Sequence, residues 1–112
     1  MASDVRLHCL LQRKALPCRL WTWATAPLPP VAPEIEAADH AALALGIYVA
    51  SRSAVEEMLA ATLGSFGRVD VLCNNASIAL NGEFLLSNHN DWQKILNVNL
   101  TGVFLCSQVV AR

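Results

Sequence analysis

Glycine is missing from the first 45 residues of this chain, and the earliest is Gly46. A phosphate is commonly cradled by the backbone amides of a glycine-rich turn at a helix start. No such turn can precede Gly46. Charge is also scarce: 15% of residues are Asp, Glu, Lys or Arg, and the formal net charge is −1. No overall field favours nucleic acid or an anionic membrane, so neither is expected as a partner. The four cysteines, Cys9, Cys18, Cys73 and Cys106, form no C-x-x-C pair, and no signal peptide precedes them. They are expected to be reduced and structural, in the cytoplasm. His8-Cys9 with Cys18 matches no zinc spacing, so no metal site is expected. No apolar run reaches the roughly 18 residues of a membrane span.

Hydrophobic residues, in contrast, make up 54% of the 112 residues. That excludes disorder and allows one modest domain. The charge is unevenly spread. Residues 1–33 carry Arg6, Arg13, Lys14 and Arg19 against Asp4, whereas residues 34–112 carry four basic and eight acidic side chains. Two segments are therefore expected: an N-terminal segment over 1–33, ending in prolines, and a folded unit over 34–112. Within the first, Val5–Gln12 and Cys18–Ala24 each fit a strand or a short helix. Pro27-Leu28-Pro29-Pro30 can continue neither and reads as an extended linker. The basic, acid-poor start resembles an organelle transit peptide, and an unstructured N-terminus fits it as well.

From Pro33 the pattern becomes regular. Pro33, Glu34 and Glu36 suit a helix start, and the alanine-rich run continues to Leu45. Ile47–Ala50 reads as a short strand. Ser51 or Ser53 can cap the next helix, with Gly64 and Gly67 at its end. Val69–Cys73 reads as a buried strand of a parallel sheet. The alternation predicts an α/β fold of βαβ units. A loop with a turn at Asn81-Gly82 follows, in which Phe84, Leu85 and Leu86 call for burial. Ser87 or Asn88 caps a last helix, and Trp92, Leu96, Asn99, Val103, Cys106 and Val110 form a stripe along it.

Three local patterns carry a resemblance. Gly67-Arg68-Val69-Asp70-Val71-Leu72 is similar to the turn and fourth strand of the short-chain dehydrogenase/reductase family. Asn74-Asn75-Ala76-Ser77 resembles its Asn-Asn-Ala-Gly motif. Asn97-Val98-Asn99-Leu100-Thr101-Gly102-Val103-Phe104 resembles its active-site asparagine helix. The clear match covers residues 51–112, with 34–50 a looser extension. The resemblance implies an incomplete Rossmann-like, doubly wound three-layer fold with a partial parallel sheet. It implies NAD or NADP as cofactor, contacted by Asn74, Asn75, Ala76 and Ser77. It implies that Asn99 kinks its helix and holds a water in a catalytic proton relay. It also implies a homo- or hetero-oligomer formed through helix 88–112.

Read from residue types alone, the asparagine turn could equally tie the sheet together, and Asn99 could be a core amide bonded to nearby backbone. The family's chemistry further needs a tyrosine and a lysine four residues apart. Here the only tyrosine is Tyr48, with Arg52 four residues on, and the lysines are Lys14 and Lys94. Tyr48 falls where the family often has an adenine-contacting aspartate. Ser77 replaces the family glycine. The expected parent activity is NAD(P)-dependent hydride transfer between alcohol and carbonyl, with these residues inactive alone. The alternatives are a non-catalytic module that pairs with full-length homologues, or a truncated product without function. In strand order 3-2-1-4-5-6, strands three and four are not neighbours. Ile47–Ala50 and Val69–Cys73 would then flank a gap.

Overall fold

Ser51 and Gly67 bracket a 15-residue helix, α1 (Arg52–Phe66). The Ser51 hydroxyl accepts from the Ala54 N–H, and Gly67 sits in the left-handed region at φ 76°, its N–H donating to the Leu63 carbonyl. A side chain resists that conformation, so the second of the two candidate glycines ends the helix. These details come from a computed structural model that describes residues 7–11, 19–23, 37, 42–79 and 82–112.

α1 buries Val55, Met58 and Thr62, and the Thr62 hydroxyl, inside the core, donates to the Met58 carbonyl. Its partner is the last helix, in which α2 (His89–Leu96), a π turn (Asn97–Thr101) and α3 (Gly102–Val110) run on without a break in helical backbone. Asn88 provides the cap by accepting from the Asp91 N–H. The core gathers Val49, Val55, Met58, Ile78, Val98, Cys106 and Val109. Val55 and Val98 are wholly buried, each stabilising the fold by about 1.5–3 kcal/mol.

The face that the last helix turns inward differs from the sequence expectation by one residue. Trp92 is 53% exposed, whereas Ile95, Val98, Gly102, Leu105, Cys106 and Val109 line the contact. The reason is close approach. A Cβ on Gly102 would lie 2.6 Å from Val49 Cγ2, so small residues, not the largest apolar ones, sit where the backbones meet. Phe84, Leu85 and Leu86, expected to be buried, form an exposed 3-10 turn instead.

The sheet expectation is also corrected. The two N-terminal candidates are strands, β1 (Leu7–Leu11) and β2 (Arg19–Trp23), but they pair antiparallel with each other. Among the described residues no parallel strand is present. Ile47–Ala50 ends in a turn closed by the Ser51 N–H donating to the Tyr48 carbonyl, and Val69–Cys73 joins no ladder. A strand is defined by its neighbour, and among the described residues these two segments pair with none. The helix expected over 33–45 lies outside the described residues up to 41, Ala37 excepted, which is helical; residues 42–45 are not. Asn81, half of the expected Asn-Gly turn, also lies outside them.

Candidate functional site

Leu72 and Ala76 pack against the core, which leaves the residues between them on the surface. Asn74, Asn75 and Ser77 are exposed, and Ala76 is half-buried. The Asn75 N–H donates to the Cys73 carbonyl at 3.1 Å, a three-residue turn. Asn74 Nδ2 donates to Ser107 Oγ at 2.9 Å. Four residues further on, the Ile78 N–H donates to Asn99 Oδ1 at 2.7 Å, and Asn99 Nδ2 donates to the Ile78 carbonyl at 2.9 Å.

These two clips run in opposite senses along the chain. Residues 74 to 78 ascend while 107 to 99 descend. Eight helical residues rise about 12 Å, and four residues of extended chain span at most about 13–14 Å. The loop therefore lies along the last helix as a strap fixed at both ends. The π turn carries Asn99 and offers one place where the regular helix is interrupted, a feature that often accompanies a functional residue.

The structure thus brings Asn99 together with the end of the Asn74–Ser77 loop. Reciprocal bonding to Ile78 uses one donor and one acceptor site of the Asn99 amide. A primary amide has two donors and two acceptor sites, so one of each stays available for a water or ligand. Asn74 likewise keeps its Oδ1, which makes no bond among the described residues. Ser107 and Ile78 were not singled out in the sequence. Nothing in residue type marks Ile78, whose contribution is its backbone, and only its helical spacing from Asn99 could have marked Ser107.

The loop is suited to one end of a dinucleotide. Asn74, Asn75 and Ser77 present hydrogen-bonding groups to solvent beside the small Ala76, an edge that an adenosine could lie against. Residues 1–45 contain no glycine and so no glycine-rich turn of the kind that cradles a pyrophosphate. Two thiols flank the helix end of the strap. Cys73 is exposed and Cys106 buried, and burial raises the Cys106 thiol above its ordinary value of 9.0. Arg52, at the start of α1, reaches Gln108 Oε1 at 2.5 Å and pins the two helices together on the same side. Among the described residues no group of His, Cys, Asp and Glu converges to hold a metal, and no helix is long and apolar enough to cross a membrane.

Residues 13–112 match the family model described as short chain dehydrogenase. A 3-oxoacyl-[acyl-carrier-protein] reductase of Synechocystis is 40% identical over 82 residues, covering 73% of this chain and 33% of the reductase. The BbsD subunit of a (2S)-[(R)-hydroxy(phenyl)methyl]succinyl-CoA dehydrogenase from Thauera aromatica is 38% identical over 77 residues, covering 69% of this chain and 31% of that protein. The chain spans about a third of the length of these curated relatives. Among solved structures, a double mutant of a Serratia marcescens short-chain dehydrogenase/reductase superimposes with a TM-score of 0.73 at 29% identity, over 82% of this chain and 38% of that one. A short-chain type dehydrogenase/reductase from Mycobacterium marinum does so with a TM-score of 0.70 at 34% identity, over 73% of this chain and 33% of that one. The arrangement of α1, the strap and the last helix is therefore that of a Rossmann-like α/β domain.

Proposed function

The chain belongs to the short-chain dehydrogenase family, and from that premise we propose that it supplies the nucleotide-side loop and the relay amide of an NAD(P)-dependent oxidoreductase. Asn74, Asn75, Ala76 and Ser77 are the residues that would contact the adenosine half of NAD or NADP. When bound, the nicotinamide cofactor would carry the hydride exchanged with an alcohol or carbonyl, in keeping with the reductase and dehydrogenase names of the relatives. Asn99 would hold a water through its unused donor and acceptor sites while Ile78 fixes its orientation. One observation carries this reading above a purely structural one. The amide that clips the loop sits on a π turn and keeps half its hydrogen-bonding capacity open.

These 112 residues do not by themselves transfer hydride in this reading. A tyrosine titrates near pKa 10 unless a cation lowers it. Tyr48 precedes α1 and has Arg52, already paired with Glu56 and Gln108, four residues on. Lys94 lies exposed on α2. No Tyr-x-x-x-Lys pair occurs in this sequence to give or take the proton.

Titrating the chain with NAD and with NADP while recording backbone amide NMR shifts tests the cofactor assignment. Shifts concentrated at Asn74–Ser77, and lost in Asn74→Ala, are expected. A spectrum unchanged at millimolar cofactor would refute it.

A second reading rests on the outer face of the last helix. Trp92, Leu100 and Phe104 are 53%, 65% and 57% exposed, an apolar surface that favours a partner. A module that pairs with a full-length homologue through helix 88–112 would use it. Size-exclusion chromatography of the mixture should then give a joint peak, and separate elution would count against this reading.

A further inference from the structure

The segment before the last helix folds back on the helix start and leaves a groove. The Leu86 N–H donates to the Glu83 carbonyl at 3.0 Å and the Ser87 N–H to the Phe84 carbonyl at 3.2 Å, which closes the 3-10 turn. Asn88 then leads the chain into α2 by accepting from the Asp91 N–H. Between this turn and the first half of α2 lies an open cavity of about 650 Å³, whose lining includes Glu83, Phe84, Leu86, Asp91, Trp92 and Ile95. That volume falls in the range of sites for small organic ligands. One wall is anchored, because Ile95 packs against the core.

The lining decides which ligand fits. Phe84 and Trp92 are 84% and 53% exposed, so their rings are accessible, and an aromatic face attracts a cation. Glu83 and Asp91 add two carboxylates. Asp91 Oδ2 accepts from Asn88 Nδ2 at 2.6 Å, which engages one of its two oxygens. Among the described residues no lysine or arginine lines the cavity. The start of α2 carries roughly half a positive charge from its aligned peptide dipoles, which by itself would draw an anion. Two full negative charges outweigh it, so the cavity repels phosphate and favours a cation. A hydrated metal ion would gain nothing from the apolar wall, and among the described residues no three ligating side chains converge to hold one.

We propose that this cavity binds an organic cation with an apolar body, of the aryl- or alkyl-trimethylammonium kind. The methyl-covered charge lies against Phe84 and Trp92, Glu83 and Asp91 balance it, and the apolar body fills the side at Leu86 and Ile95. A quaternary ammonium suits these walls better than a primary one, since it has no N–H groups that need new partners on leaving water. The site lies apart from the Asn74–Ser77 loop and needs no nicotinamide cofactor. It shares Trp92 alone with the apolar face that carries Leu100 and Phe104.

The probe is benzyltrimethylammonium, titrated into the whole chain while NMR follows the backbone amides and the indole N–H signals of the three tryptophans. Saturable shifts are expected at residues 83–95 and at the Trp92 indole. The neutral 4-tert-butylbenzyl alcohol, of similar size, should bind about fivefold more weakly or worse. Glu83→Gln and Trp92→Leu should each weaken the cation by about two- to fivefold, the size expected for one exposed charge or one ring, with circular dichroism unchanged. Absence of saturable shifts would overturn the proposal. So would equal binding of the neutral alcohol, which would show an apolar groove with no choice of charge, or undiminished binding by both variants. Shifts centred on Leu100 and Phe104 would move the ligand to the helix face and also contradict it.

Discussion

Asn99 and Ile78 exchange two hydrogen bonds, at 2.7 and 2.9 Å, between a side-chain amide and both backbone polar groups of one residue. Ile78 is buried, so its N–H and C=O have no recourse to water if the amide is lost. Asn99→Ala is expected to destabilise the chain by about 1–3 kcal/mol. Urea unfolding followed by circular dichroism measures it. Asn99→Asp, which keeps the acceptor and loses the donor, should fall between the two.

Gly102 and Val49 meet where the last helix crosses the turn before α1. An added methyl at 102 has no room beside Val49 Cγ2. Gly102→Ala should cost about 1–3 kcal/mol by overpacking. Pairing it with Val49→Ala should recover part of that loss, and a double-mutant cycle with no coupling would show that the contact is not what limits the site.

Cys106 and Cys73 should differ in reactivity. The exposed Cys73 is expected to alkylate quickly at pH 8, whereas the buried Cys106, its thiol held protonated by burial, should alkylate only on unfolding. Mass mapping of alkylated peptides separates the two. The sign of the pH effect follows from the raised value. The folded state holds the proton more tightly than the unfolded state, so this contribution is fully present below the ordinary value of 9.0 and is lost as pH rises through the folded value. Cys106→Ala should flatten that alkaline decline.

The elements that signal through local chemistry could be read from the sequence. Ser51 and Asn88 cap their helices as their types suggest, and Gly67 takes the left-handed stop. Asn99 was legible as an amide in need of a partner, and nearby backbone was one expected partner, but no residue type announces that the backbone is that of Ile78. The inward face of the last helix was misplaced for a physical reason. Size ranks Trp92 and Leu96 first, whereas the crossing is set by how closely Gly102 lets the backbones approach. The strands at Ile47–Ala50 and Val69–Cys73 were read from apolar runs, which report burial on the helical layer and say nothing about a hydrogen-bonding neighbour. The clip from Asn74 to Ser107 joins positions 33 residues apart, beyond the reach of any local pattern.

The most direct measurement is turnover by the purified 112 residues. The chain is incubated with NAD or NADP and a panel of primary and secondary alcohols, and reduced cofactor is followed by absorbance. With the nucleotide-side loop and Asn99 present but no tyrosine-lysine pair to move the proton, the rate should equal that of cofactor and alcohol alone. Sustained formation of reduced cofactor, abolished by Asn99→Ala, would contradict this.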